Sequence, residues 1–91
     1  MKAAEKYLTE LDYEQAIAEY TLALEIEPNN EEVLNALEQT YLDYAQSLAD
    51  AGDYEKAVSV LEEGYAQTGR ESLREEIRQT VRSQEFLDKL F

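Results

Sequence analysis

The apolar residues of this chain recur every three or four positions, and no stretch alternates as a half-buried strand would. The breakers are few: Pro28, Gly52, Gly64 and Gly69. This pattern predicts four main helices and a short approach. The approach covers about Lys2 to Glu10, with Ala3, Ala4, Tyr7 and Leu11 inward. Asp12, with Gln15 three residues on, is placed to cap the next helix, whose inward residues are Tyr13, Ala16, Ile17, Tyr20, Ala23 and Leu24. It stops before Pro28, which disfavours helix at Glu27. Asn29 or Asn30 caps a longer helix, with Glu31 and Glu32 suited to its positive end. Leu34, Leu37, Tyr41, Tyr44 and Leu48 run through it as one unbroken stripe to about Asp50. Gly52 is a natural left-handed stop. Asp53 caps the next helix, which presents Tyr54, Ala57, Val58, Leu61 and Tyr65 and ends at Gly69. A last helix starts at about Glu71, with Leu73, Ile77, Val81 and Gln84 along one side. The expected fold class is all-α, built of antiparallel helical hairpins.

Composition narrows the function mainly by exclusion. The chain has 91 residues, enough for one small domain. It contains no cysteine and no histidine, which removes disulfides, thiolate and imidazole metal ligands, cysteine nucleophiles and the commonest general base. An enzyme would have to work with carboxylates. Pairs such as Glu31/Glu32, Glu62/Glu63 and Glu75/Glu76 are adjacent on helices and point to different sides. No glycine-rich phosphate loop, nucleophile elbow or calcium-loop spacing is present. The sequence therefore predicts a non-enzymatic protein with no catalytic residue, no cofactor and no metal site.

Twenty-one acidic residues against eight basic ones give a net charge of −13. Nucleic acid and anionic membrane surfaces are repelled at long range, and a neutral or basic protein partner is the electrostatic default. No run of about 18 apolar residues and no signal pattern occurs. The abrupt opening on Met-Lys-Ala-Ala reads as a segment of a longer protein, so the compartment stays open, with the cytoplasm as the default.

One segment is written twice. "LDYEQAIAEYTLALEIEPNN" (11–30) returns in part as "GDYEKAVSVLEEGYAQTG" (52–69), with Tyr13 and Tyr54 41 residues apart. The first copy resembles the second half of a tetratricopeptide repeat, through the turn before Tyr13, small Ala16 and Ala23, aromatic Tyr20 and the closing Pro28-Asn29-Asn30. The second copy matches through Gly52, Asp53, Tyr54 and Ala57. It departs at Leu61, where an aromatic is usual, at Gly64, where alanine is usual, and at Gly69, where proline is usual. Leu11 likewise stands where the turn glycine is usual. The family period is 34 residues. The seven extra residues here are close to two turns of helix, about 7.2 residues, and lengthen the helix between the copies without changing its inward face.

This resemblance implies a single domain of about five helices stacked as an α–α superhelix: a truncated first repeat over 1–30, a second repeat over 31–69 and a capping helix over 70–91. "LEEGYAQTGRESLREEI" also looks like the end of repeat arrays in bacterial proteins, often envelope or secreted ones. Such repeats are scaffolds whose first helices line a concave groove that holds a peptide or a partner helix. Carried over by position, the groove residues are Glu5 and Thr9 on the first helix and Asn35, Gln39, Leu42, Gln46 and Asp50 on the long one. Glu5 and Asp50 have the wrong sign, and Gln46 has no charge, to clamp a C-terminal carboxylate.

Two stripes on the last helix stand apart from the core. Arg70, Arg74, Arg78 and Arg82 recur every fourth residue and are expected to pair with nearby glutamates such as Glu71 and Glu75. Phe86 and Leu90 face away from the Leu73–Ile77 side and are candidates for self-association. The seven tyrosines fall at or beside packing positions and are expected in the core and at its boundary. Two readings follow: a peptide-binding or helix-binding module, or a structural spacer that dimerises and has no free groove ligand.

Overall fold

The chain turns where its hydrophobic pattern breaks. A computed structural model describes residues 10–90. Among these residues there are four helices and no strand: α1 Glu10–Ile26, α2 Glu31–Asp50, α3 Tyr54–Thr68 and α4 Glu71–Leu90. The approach helix, with Glu5 and Thr9, lies outside the described residues.

Three breaks fall where the sequence placed them. The Asn30 side chain accepts from the Val33 amide at 3.2 Å and so caps α2. Asp53 does the same for the Lys56 amide at 3.3 Å at the head of α3. Gly69 ends α3 at φ 68°, left-handed backbone that a β-carbon would strain.

The Asp12 cap is corrected. Helix α1 is already under way at Glu10 and runs through Asp12. Leu11 is the reason: a leucine in the position of a turn glycine does not take up positive φ, and among the described residues no non-glycine residue has it.

The short connections make successive helices antiparallel. Each helix packs on the next, and α2 also packs on α4. Helix α2 is the hub, burying Leu37, Tyr41, Tyr44, Ala45 and Leu48. These meet Ile17 of α1, Ala57, Val60 and Leu61 of α3, and Leu73 of α4 in one core. Among the described tyrosines, Tyr41 and Tyr44 are core residues and Tyr13, Tyr20, Tyr54 and Tyr65 lie at its boundary.

On α4 the buried edge is Leu73, Ile77, Thr80 and Gln84, so Thr80 takes the place expected of Val81, which is 37% exposed. Thr80 enters the core without an unpaired hydroxyl because it donates to the Glu76 carbonyl at 2.8 Å.

Gly64, inside α3, has a packing reason. A β-carbon there would sit 2.6 Å from Cγ and 2.8 Å from Cδ2 of Tyr41. The tyrosine ring occupies the space an alanine methyl would need.

The arginine stripe is divided by the fold. Arg74 and Arg78 pair along their own helix with Glu71 (3.8 Å) and Glu75 (2.8 Å), as expected. Arg70 instead leaves the α3–α4 turn for the first half of α2. It donates to Asn35 Oδ1 at 2.9 Å, Glu38 Oε1 at 3.2 Å and Glu31 Oε1 at 3.0 Å. Ser72 donates to the other oxygen of Glu38. This fan ties the last hairpin to the hub. Arg70→Met, which keeps the apolar stem, is expected to lower the unfolding free energy by about 1 kcal/mol at low salt. The difference should shrink in 1 M NaCl, where the Debye length is about 3 Å. Urea titrations at the two salt concentrations measure it.

Candidate functional site

Helices α1 and α3 straddle α2 on the same side, and their Cα traces nowhere come within 8 Å of each other. The space between them is an open cleft of about 710 Å³. Its α1 wall is Glu14, Ile17, Ala18, Thr21 and Leu22, and its α3 wall is Lys56, Ser59, Val60, Glu63 and Gln67. Both sets follow the three-and-four spacing of one helical face. The floor is the buried pair Tyr41 and Tyr44 of α2.

The floor's hydroxyls are satisfied at the walls. Tyr44 Oη donates to Glu14 Oε2 at 3.1 Å. Tyr41 Oη donates to Glu63 Oε2 at 3.2 Å and accepts from Gln67 Nε2 at 3.2 Å. The same Gln67 nitrogen reaches Thr21 Oγ1 at 3.2 Å, so one side chain of α3 bridges to α1 at the far end of the cleft. Outside the cleft lining, Tyr13 stacks on Tyr44, with ring centroids 5.2 Å apart and 14° between the planes. Burial, with the Glu63 charge adding to it against the Gln67 hydrogen bond, pushes the Tyr41 phenol up to about 12. Burial and Asp43 also raise Tyr13. Both phenols stay neutral over the physiological range, and Tyr41 gives the floor an apolar ring whose hydroxyl is held by Glu63 and Gln67. Leu22, at the lip, is 60% exposed, and Ile26, one turn on, is 83% exposed.

The groove residues expected from the sequence lie elsewhere on α2. Asn35 is taken up by Arg70. Gln39 donates to Asp43 and Gln46 to Asp50, both at 2.9 Å along the exposed side of the helix. Leu42 is half-buried against the core. Gln46, Asp50, Tyr13, Asp43 and Ser47 border a shallow depression.

Gln46 also lines a small hollow between α2 and α4 with Ala45, Ala49, Tyr54, Glu76, Gln79, Thr80 and Ser83. Tyr54, Gln79 and Ser83 continue into a second hollow of about 420 Å³ with Arg82, Phe86 and Leu87. Two positions read separately in the sequence, Gln46 and Phe86, thus border adjoining hollows. Phe86 and Leu90 are exposed as expected, at 64% and 61%. Leu90 lies beyond both hollows.

The α1–α3 cleft was not anticipated from the sequence. Its signal was Leu22 and Ile26, apolar residues off the inward stripe of α1, which a reading centred on the repeat passed over. Among the described residues no group of three or more acidic residues is placed to hold a metal ion, and no helix is long and apolar enough to cross a membrane. No family model, no curated protein and no solved structure matches the chain.

Proposed function

We propose that this chain is a non-enzymatic interaction module, built on the plan of tetratricopeptide repeats, that holds a peptide or helix of a partner protein. The observation that carries this reading is the α1–α3 cleft: about 710 Å³ open to solvent, with a tyrosine floor and the exposed Leu22 at its lip. Apolar concavities with a few fixed polar groups are where segments of partner chains bind. In the repeat plan α2 and α4 are first helices and α1 and α3 are second helices. The cleft then lies on the side opposite the groove that such repeats ordinarily use.

The ordinary groove is the second reading, favoured by the way Gln46 and Phe86 border adjoining hollows between α2 and α4. A dimeric spacer, joined through Phe86 and Leu90, is the third.

Selection of displayed random peptides on the wild-type domain separates the three. The peptides recovered are then measured on Ala18→Arg, which fills the cleft from an exposed position, and on Gln46→Arg, which fills the α2–α4 seam. The cleft reading expects binding to be lost on Ala18→Arg and kept on Gln46→Arg. The reverse result moves the site to the seam. If no peptide is selected and light scattering shows a dimer that Phe86→Asp with Leu90→Asp dissolves, the spacer reading replaces both.

A further inference from the structure

We infer that the occupant of the α1–α3 cleft is a short amphipathic helix whose apolar ridge is flanked by lysine or arginine. The inference rests on the cleft being the binding site and adds the chemistry of the partner.

Shape fixes the secondary structure and length. The α1 wall runs from Glu14 to Leu22, about 12 Å at about 1.5 Å per residue, or a little over two turns. Two parallel helices over a third leave a trough that a fourth helix fills by ridge-and-groove packing. An extended peptide would have no sheet edge to pair with, since the described residues form no strand. Anchors at i, i+3 or i+4, and i+7 match a trough of this length.

Charge fixes the flanks. Helix α1 carries Glu10, Asp12, Glu14, Glu19 and Glu25 and no lysine or arginine, and α3 carries Glu55, Glu62 and Glu63 against Lys56. Glu14 and Glu63 line the cleft itself against the single cation Lys56, and Glu25, Glu55 and Glu62 are exposed on the same two helices. Helix α4, by contrast, nearly balances, with Glu71, Glu75, Glu76, Glu85 and Asp88 against Arg74, Arg78, Arg82 and Lys89. The helices that wall the cleft are therefore more negative than α4. A second copy of this chain, itself at −13, would bring like charge to those walls, which costs association energy, whereas a basic flank is steered in and held. The apolar ridge covers Leu22, Ala18 and Val60, and the cations meet Glu14 and Glu63 at the rims.

The test uses two fluorescein-labelled helical peptides of about 14 residues, long enough for a marginal helix. Both have leucine at the anchor positions, with lysine elsewhere in one and glutamate in the other. Binding is read by anisotropy, and the site by amide shifts of the isotope-labelled domain. The lysine peptide should bind, weaken as NaCl is raised, and shift amides within residues 14–22 and 56–67. The glutamate peptide should not bind. Leu22→Asp and Ser59→Arg, both at exposed positions, should each weaken the lysine peptide about tenfold or more.

If both peptides bind and both variants weaken them, the cleft reading survives and the basic partner is wrong. If the lysine peptide binds but the variants leave it unchanged and its shifts fall outside the cleft, it is held by the general acidic coat, and cleft and partner are overturned together. If neither peptide binds, the inference of a basic helix is overturned.

Discussion

Gly64→Ala lowers the thermal midpoint of this domain by about 10 °C, although the same change on an exposed helix is stabilising by about 1 kcal/mol. The opposing term is steric. The new β-carbon would lie 2.6 Å from Tyr41 Cγ, and neither side can yield. Tyr41 is 1% exposed, and its hydroxyl is held by Glu63 and Gln67. Overpacking of this kind costs about 1–3 kcal/mol and occasionally more. Here it must also break or bend the hydroxyl network, so a net loss of about 2 kcal/mol is expected, at about 4–8 °C per kcal/mol for a domain of this size.

The dependence on Tyr41 is the sharper test. In a Tyr41→Ala background the two ring contacts are gone and only the 3.0 Å approach to the β-carbon of residue 41 remains, so Gly64→Ala should lose most of its cost. Calorimetry or chemical denaturation of the four proteins measures the coupling. An equal effect of Gly64→Ala in both backgrounds would show that the contact with Tyr41 is not what selects glycine.

What could be read from the sequence divides along the same physical line. Helices α2, α3 and α4 and their ends were legible, because Asn30, Asp53 and Gly69 act through local chemistry that needs no tertiary information. The stripe from Leu34 to Leu48 was legible because one helix burying one face sets it. The start of α1 was misread at Asp12, where cap chemistry was present but the preceding Leu11 left nothing to interrupt the helix. Gly64 could be noticed as unusual but not explained, since its partner Tyr41 is 23 residues away in sequence. Arg70 shows the same limit: its local glutamate neighbour was the expected partner, and the fold carries it to Glu31, Asn35 and Glu38 instead. The cleft was least legible of all. It is a space between two helices joined across it by the Gln67–Thr21 hydrogen bond, and the exposed Leu22 and Ile26 mark one wall without showing what faces it.

Raising the pH from 10 to 12 removes about 2 kcal/mol of stability from this protein through Tyr41 alone. In the unfolded chain the phenol ionises at about 10. In the folded protein burial pushes it up to about 12, because the phenolate would sit in the core beside Glu63. Below pH 10 both states hold the proton and the contribution is complete. Between 10 and 12 the unfolded state has released a proton that the native state keeps, so unfolding is favoured progressively as pH rises. Above the folded value both states are ionised and no further loss accrues. Tyr13, raised in the same direction, adds to the loss with the same sign. Tyr41→Phe should cost about 1 kcal/mol at neutral pH, since Glu63 and Gln67 lose their partner. The same variant should lose less than the wild type above pH 10, so that the two stability curves converge and cross. Urea unfolding followed by helical circular dichroism from pH 8 to 12 gives both curves. Parallel curves over that window would mean that the Tyr41 hydroxyl titrates as it does in the unfolded chain, and the buried floor assigned to the cleft would have to be given up.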